Sequence, residues 1–196
     1  GSYSKSNGLR SLTVDATGAV IFNGVVGSAV AGQTNGNIYA LNVTGSSITI
    51  NADITTQDSQ TYNSPVFIGD NGNDGLIRTL ISIDPSITFN STVDDTVSNT
   101  HTLITKAISV NGIDTPNIDF MKAVGAVKPL YALAATTGSG VGVSFGSITS
   151  NTDLYKGSIH LADSVTTYAD QTYTTNTVSL GNGTAAQKLL LTTCLL

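Results

Sequence analysis

The sequence predicts an all-β protein, and within that class a parallel β-solenoid of about seven irregular coils, with a β-sandwich as the alternative. Three observations carry the prediction. The segment "SITINADITTQDSQTYN" at 47–63 returns as "SIHLADSVTTYADQTYT" at 158–174, 111 positions on (158 − 47), with no gap. An apolar template recurs five times along the chain. β-Branched Val, Ile and Thr dominate, and glycines interrupt the runs that would otherwise propagate a helix.

The template is an apolar residue, one intervening position, a second apolar residue, three positions, and a third apolar residue. Its copies are Val20, Phe22 and Val26; Ile48, Ile50 and Ile54; Ile87, Phe89 and Val93; Ile118, Phe120 and Val124; and Ile159, Leu161 and Val165. Residues two and four apart on a strand point to one side, so each triplet is expected to face a buried interior. The pairs Leu12 and Val14, Leu41 and Val43, and Ile81 and Ile83 precede three of the copies across turns of Asp, Thr, Gly, Ser and Pro. Further strands are expected in "SPVFIG" (64–69), "KAISVNG" (106–112), "GVGVSFG" (140–146) and "NTVSLG" (176–181). The best helical stretch, "FMKAVGAVKPLYALAA" at 120–135, is broken by Gly125 and Pro129.

Repetition separates the two architectures. Each strand of a sandwich has its own surroundings, whereas equivalent strands of a solenoid stack on one another and meet the same packing problem. The triplets are therefore expected to lie vertically over each other. At roughly 25 to 30 residues per coil the chain makes about seven coils, about 30 to 35 Å tall at the spacing of stacked strands. Residues 1–8 read as a disordered or tag-derived lead, and 9–196 as one solenoid segment excised from a longer repeat protein.

Charged residues make up 11% of the chain, and the net charge is −5 with no basic cluster, which argues against nucleic-acid binding. No apolar run reaches the length of a membrane span. A single cysteine, Cys194, excludes an internal disulfide framework and reads as an apolar filler.

"LTVDATGAVIFNGVVG", "ITFNSTVDD" and "ITTQDSQTYNSPVFIG" resemble the degenerate repeats of very large bacterial surface adhesins of the filamentous-haemagglutinin-like kind. The likeness covers 9–70 and 80–94, and 118–181 more loosely. It implies right-handed parallel β-helices that carry adhesive tips away from the cell, and a secreted or cell-surface location. The stretch "IDFMKAVGAVKPLYA" departs from the pattern, with Met121, Lys122, Lys128 and Pro129 where small polar residues are expected, so an outward excursion or a local loop is expected there.

No catalytic, cofactor-binding or metal-binding residue is assigned. In "GDNGNDG" (69–75) Asp70 and Asp74 sit at the first and fifth positions of a calcium loop, but Gly72 occupies the third and no closing Glu follows, so the stretch reads as a surface turn. Asp84, Asp94 and Asp95 would have to converge to serve a β-helical polysaccharide lyase or hydrolase; they read as solvated turns. His101 and His160 lack metal-ligand spacing and read as solvent-facing strand residues. Tyr62 and Tyr173 share a repeat position and are expected in an aromatic ladder rather than a glycan-stacking surface. Sequons at Asn42, Asn90 and Asn182 are what so Asn-, Ser- and Thr-rich a chain produces by chance. The expected function is a stiff, non-catalytic structural and adhesive segment of an exported bacterial protein that self-associates end to end. The alternatives are a receptor or glycan site on loops 30–37, 69–76 and 98–103, then a β-helical enzyme, and last an ice-binding Thr array, whose rows here are irregular.

Overall fold

Alternating β-branched residues broken every few positions by turn formers produce strands of three to eight residues, all paired in parallel, and no helix among the described residues. The protein is seen in a computed structural model that describes residues 11–27, 38–72, 75–83, 86–109, 114–139, 157–181 and 191–193. The strands in chain order begin with β1 (Leu12–Asp15), β2 (Val20–Phe22), β3 (Leu41–Thr44), β4 (Ile48–Ile50) and β5 (Ile54–Thr56). There follow β6 (Gln60–Tyr62), β7 (Val66–Ile68), β8 (Ile77–Ser82), β9 (Ser86–Phe89), β10 (Val93–Asp95) and β11 (Thr102–Ser109). The remainder are β12 (Asn117–Phe120), β13 (Ala132–Ser139), β14 (Ser158–Leu161), β15 (Val165–Thr167), β16 (Gln171–Thr174), β17 (Thr177–Leu180) and β18 (Leu191–Thr193). The expected strand at 140–146 lies outside the described residues.

The chain visits three sheets in a fixed cyclic order. The first sheet is β1-β3-β6-β9-β12-β14-β17. The second is β2-β4-β7-β10, carried on to β15 and β18 by single bridges from Val93 to Val124 and from Val124 to Val165. The third is β5-β8-β11-β13-β16, with Val26 and Ile38 bridging onto β5. In the stretch that departs from the adhesin-like pattern, β12 is followed by bends at 125–128 and not by a long excursion.

Register explains the core. Two inward columns run through the first sheet: Leu12, Leu41, Gln60, Ile87, Ile118, Ile159, Val178, and Val14, Val43, Tyr62, Phe89, Phe120, Leu161, Leu180. Tyr62 stacks on Phe89 with ring centres 5.1 Å apart, and Phe89 on Phe120 at 4.9 Å. Stacked strands bring equal residues into contact, so aromatics align face to face at the strand spacing. As far as Ile159 and Leu161 the apolar members of these columns join inward residues of the other two sheets in one apolar cluster, while the outward positions of the first sheet are Thr13, Asn42, Thr61, Thr88, Asp119, His160 and Ser179. Gly27 and Gly125, at matching places after the bridging valines, hold φ of 76° and 69°. A Cβ at either would fall on the carbonyl oxygen of Thr55 or Thr166 in the next layer, so only glycine fits.

One expectation is corrected. The fifteen template residues all turn inward, but they do not form one set of vertical columns. Val20 and Phe22 and then Ile48 and Ile50 belong to the second sheet, whereas Ile87 and Phe89, Ile118 and Phe120, and Ile159 and Leu161 belong to the first. The long repeat is displaced likewise: 47–63 supplies β4, β5 and β6 to the second, third and first sheets, and 158–174 supplies β14, β15 and β16 to the first, second and third. The physical reason is that all three sheets look onto the same interior, so one apolar template satisfies any of them.

Candidate functional site

The densest polar constellation sits where the second sheet passes to the third, between β7 and β8 and between β10 and β11. Strand parity builds it. Asp95 continues the inward column of Ile50 and Ile68. Arg78 lies two residues before inward Leu80, and His101 two before inward Leu103. Alternation therefore drives an acid, a guanidinium and an imidazole into the interior, where each must find partners.

They do. Asp95, fully buried, accepts backbone N–H groups from Val97 (3.1 Å), Thr100 (3.0 Å) and His101 (2.9 Å). Its Oδ1 also lies 2.5 Å from His101 Nδ1. His101 is 2% exposed, and its Nε2 faces Asp70 Oδ2 at 2.8 Å. Asp70, the solvent-facing member, accepts the Gly72 N–H through its other oxygen at 2.8 Å. The hydrogen bond from His101, and next that from Gly72, hold its carboxyl below the usual aspartate range. Arg78 donates to the carbonyls of Gly69 (2.6 Å), Ile77 (2.6 Å) and Gly75 (2.7 Å), gathering the loop between β7 and β8 around its guanidinium. Asp94, on the outward side of β10, is covered by the N–H groups of Val127 (2.9 Å) and Lys128 (3.0 Å).

Two expectations fall here. Asp94 and Asp95 are not solvated turn residues, and His101 is not solvent-facing: all three are buried because partners meet them inside, the backbone of the next layer for Asp94, the N–H groups of the following turn for Asp95, and two carboxylates for the His101 ring. The residues that sequence reasoning missed, Arg78 and the inward pair Asp95 and His101, carried a readable signal in the parity of "RTL", "VDD" and "HTL".

Chemically the constellation is a tie. A neutral imidazole has one N–H and satisfies one of its two carboxylate contacts, while the imidazolium satisfies both. Both ring nitrogens face carboxylates and the ring is shielded, so neither nitrogen is presented to a substrate. Both Asp70 oxygens are committed as well, and Asp74 lies outside the described residues. Among the described residues no group of three or more His, Cys, Asp or Glu side chains is placed to hold a metal ion. Asp84 also lies outside the described residues, and Asp94 and Asp95 point to opposite sides of β10.

A second constellation occupies the outward face of the first sheet, where Asp119, His160 and Ser179 are successive partners on β12, β14 and β17. The residue types are those of a nucleophilic relay, but the geometry is not. His160 Nε2 lies 2.8 Å from the Gly181 carbonyl, which spends the nitrogen a serine would need, and Nδ1 is 3.9 Å from Asp119. His160 points outward, as alternation requires. Burial pushes the Asp119 carboxyl up, against the opposing pull of His160 and of the Thr88 hydroxyl.

The tyrosines separate. Tyr62 lies in the core column, and burial raises its hydroxyl far above the ordinary value; Tyr173 is half-buried on the third sheet and shares no ladder with it. An amide ladder uses two sequon residues: Asn63 Nδ2 donates to Asn42 Oδ1 (2.7 Å), and Asn90 Nδ2 to Asn63 Oδ1 (2.8 Å). Asn182, Cys194 and loop 30–37 lie outside the described residues. No protein-family model, curated protein or solved structure matches this chain.

Proposed function

We propose that the chain is a stiff structural and adhesive segment, without catalysis, of a large exported protein on a bacterial cell surface, folded as a right-handed parallel β-helix of about seven irregular coils. The observation that carries this reading is the fixed cyclic visit to three parallel sheets around one apolar cluster. Parallel sheets are ordinarily covered on both faces, yet here the outward positions of the first sheet are polar throughout, which fits a ribbon wound about its own core. Right-handedness follows the strong preference of parallel crossovers. Rungs bonded above and below give stiffness along the stacking axis, and the adhesin-like repeats of the sequence supply the surface context. Neither nucleic acid nor a membrane span enters this role.

Amide hydrogen exchange on the intact chain tests it. Protection is expected to be greatest in β6, β9 and β12 and to decline toward β1 and β17, as in a stack that opens from its ends. Uniformly weak protection in the middle layers would overturn the rod.

A second reading, a receptor or glycan site on the flank, is favoured by the exposed Leu76, Ile77, Val97, Val127 and Tyr131 near the same passage, with the Tyr131 ring tilted against that of Tyr168 at 5.7 Å between centres. Glycan-array binding abolished by Tyr131→Ala with the fold intact would support it, and binding unchanged by that substitution would sink it.

A further inference from the structure

Among the described residues the first sheet ends on β1 at one side and β17 at the other, and these two strands fit each other. Along the inward columns Ile87, Ile118 and Ile159, like Phe89 and Leu161, are wholly covered; Val178 and Leu180, next in those columns, are 41% and 57% exposed. At the opposite end Leu12 and Val14 are half-buried. We infer that β17 of one copy receives β1 of a second copy of this chain, with Val178 against Leu12, Ser179 against Thr13 and Leu180 against Val14.

Backbone phase supports the fit. Leu12 and Ala16 donate their N–H groups to Ala40 and Thr44 on the β3 side. Alternation then aims the N–H groups of Thr13 and Asp15 away from the sheet. Gly181 donates to Leu161, so the N–H groups of Val178 and Leu180 also face the open side. In the stated register Thr13 donates to the Val178 carbonyl and Leu180 to that of Thr13, continuing the ladder without a phase break. The side chains agree as well: apolar residues meet inward, Thr13 meets Ser179 outward, and Asp15 falls against Gly181 rather than another acid. Because the contact joins two different ends, it is heterologous and does not close, so copies add in line. This inference rests on the rod reading, which the exchange gradient tests separately.

Light scattering on the intact chain and on two variants, Val14→Lys and Leu180→Lys, reads the contact. The native chain is expected to rise in apparent mass with concentration. Each variant alone should remain monomeric, because one end is blocked, while an equimolar mixture should form a dimer and nothing larger through the two native ends. Circular dichroism and thermal melting confirm that both variants fold. If Val14→Lys fails to fold, Thr13→Pro, which removes the open-side N–H of β1, replaces it. A native chain that stays monomeric at all concentrations, or a variant that still associates by itself, overturns the proposal, while an intact exchange gradient would leave the rod standing.

Discussion

Segments 47–63 and 158–174 share sequence and local structure but differ in their surroundings. In each, a glutamine reaches back six residues, Gln60 Nε2 to the Ile54 carbonyl at 3.4 Å and Gln171 Nε2 to that of Val165 at 3.3 Å. In each, a tyrosine hydroxyl donates to that glutamine, Tyr62 to Gln60 at 2.8 Å and Tyr173 to Gln171 at 3.1 Å. A threonine hydroxyl likewise caps the corner, Thr56 to the Asp58 carbonyl and Thr167 to that of Ala169. Yet Gln60 and Tyr62 are fully buried, and Gln171 and Tyr173 are only half-buried. The sequence of a segment sets its corner. Burial is set by what lies on top: β9 covers β6, whereas β16 is the last described strand of the third sheet.

That contrast makes unequal predictions from equivalent residues. Tyr62→Ala is expected to destabilise by about 3 to 5 kcal/mol, since it empties a column next to Phe89, and Tyr173→Ala by about half as much or less. Equal losses in denaturant unfolding would show that the stack above Tyr62 contributes nothing. A smaller effect is expected at Gln60, whose Nε2 also donates to the Ile81 carbonyl at 2.7 Å. Gln60→Ala leaves that carbonyl and the Tyr62 hydroxyl unsatisfied in the core, at about 1 to 3 kcal/mol, and Gln60→Ala with Tyr62→Phe should recover part of the loss in a double-mutant cycle.

The smallest effects concern pH and come from two aspartates of opposite character. Asp70 has a lowered value when folded, so its contribution is present above the ordinary aspartate range and disappears as pH falls through the folded value; Asp70→Asn should flatten acid unfolding. Asp119 has a raised value, so its contribution is present below the ordinary range and is lost as pH rises through the folded value; Asp119→Asn should make the chain slightly more stable at neutral pH. Melting curves from pH 3 to 8 separate the two signs, and matching slopes for both variants would contradict the assignment.

The all-β class and the inward direction of all fifteen template residues were legible in period-2 spacing, because alternation is a local rule. The sheet to which each triplet belongs was not, since Ile48 and Ile159 satisfy the same rule on different sheets and only the intervening turn lengths decide which. Asp95 and His101 are hidden for another reason. Charge argues for solvent where parity argues for the interior, and a carboxylate that receives three backbone N–H groups from the following turn is at home inside. Those donors come from residues 97 to 101, so the compensation was close by in sequence but visible only once the turn had closed on itself.

The displacement of the duplicated segment by one sheet bears on how such a chain lengthens. In the rod proposed above, a strand-and-corner unit that fits two different placements among the three sheets would let the gene gain or lose a third of a revolution at a time. Every downstream loop would then swing about the long axis by a fixed angle while the greasy interior stayed sealed, so the compass bearing of surface features could drift independently of the stability of the shaft.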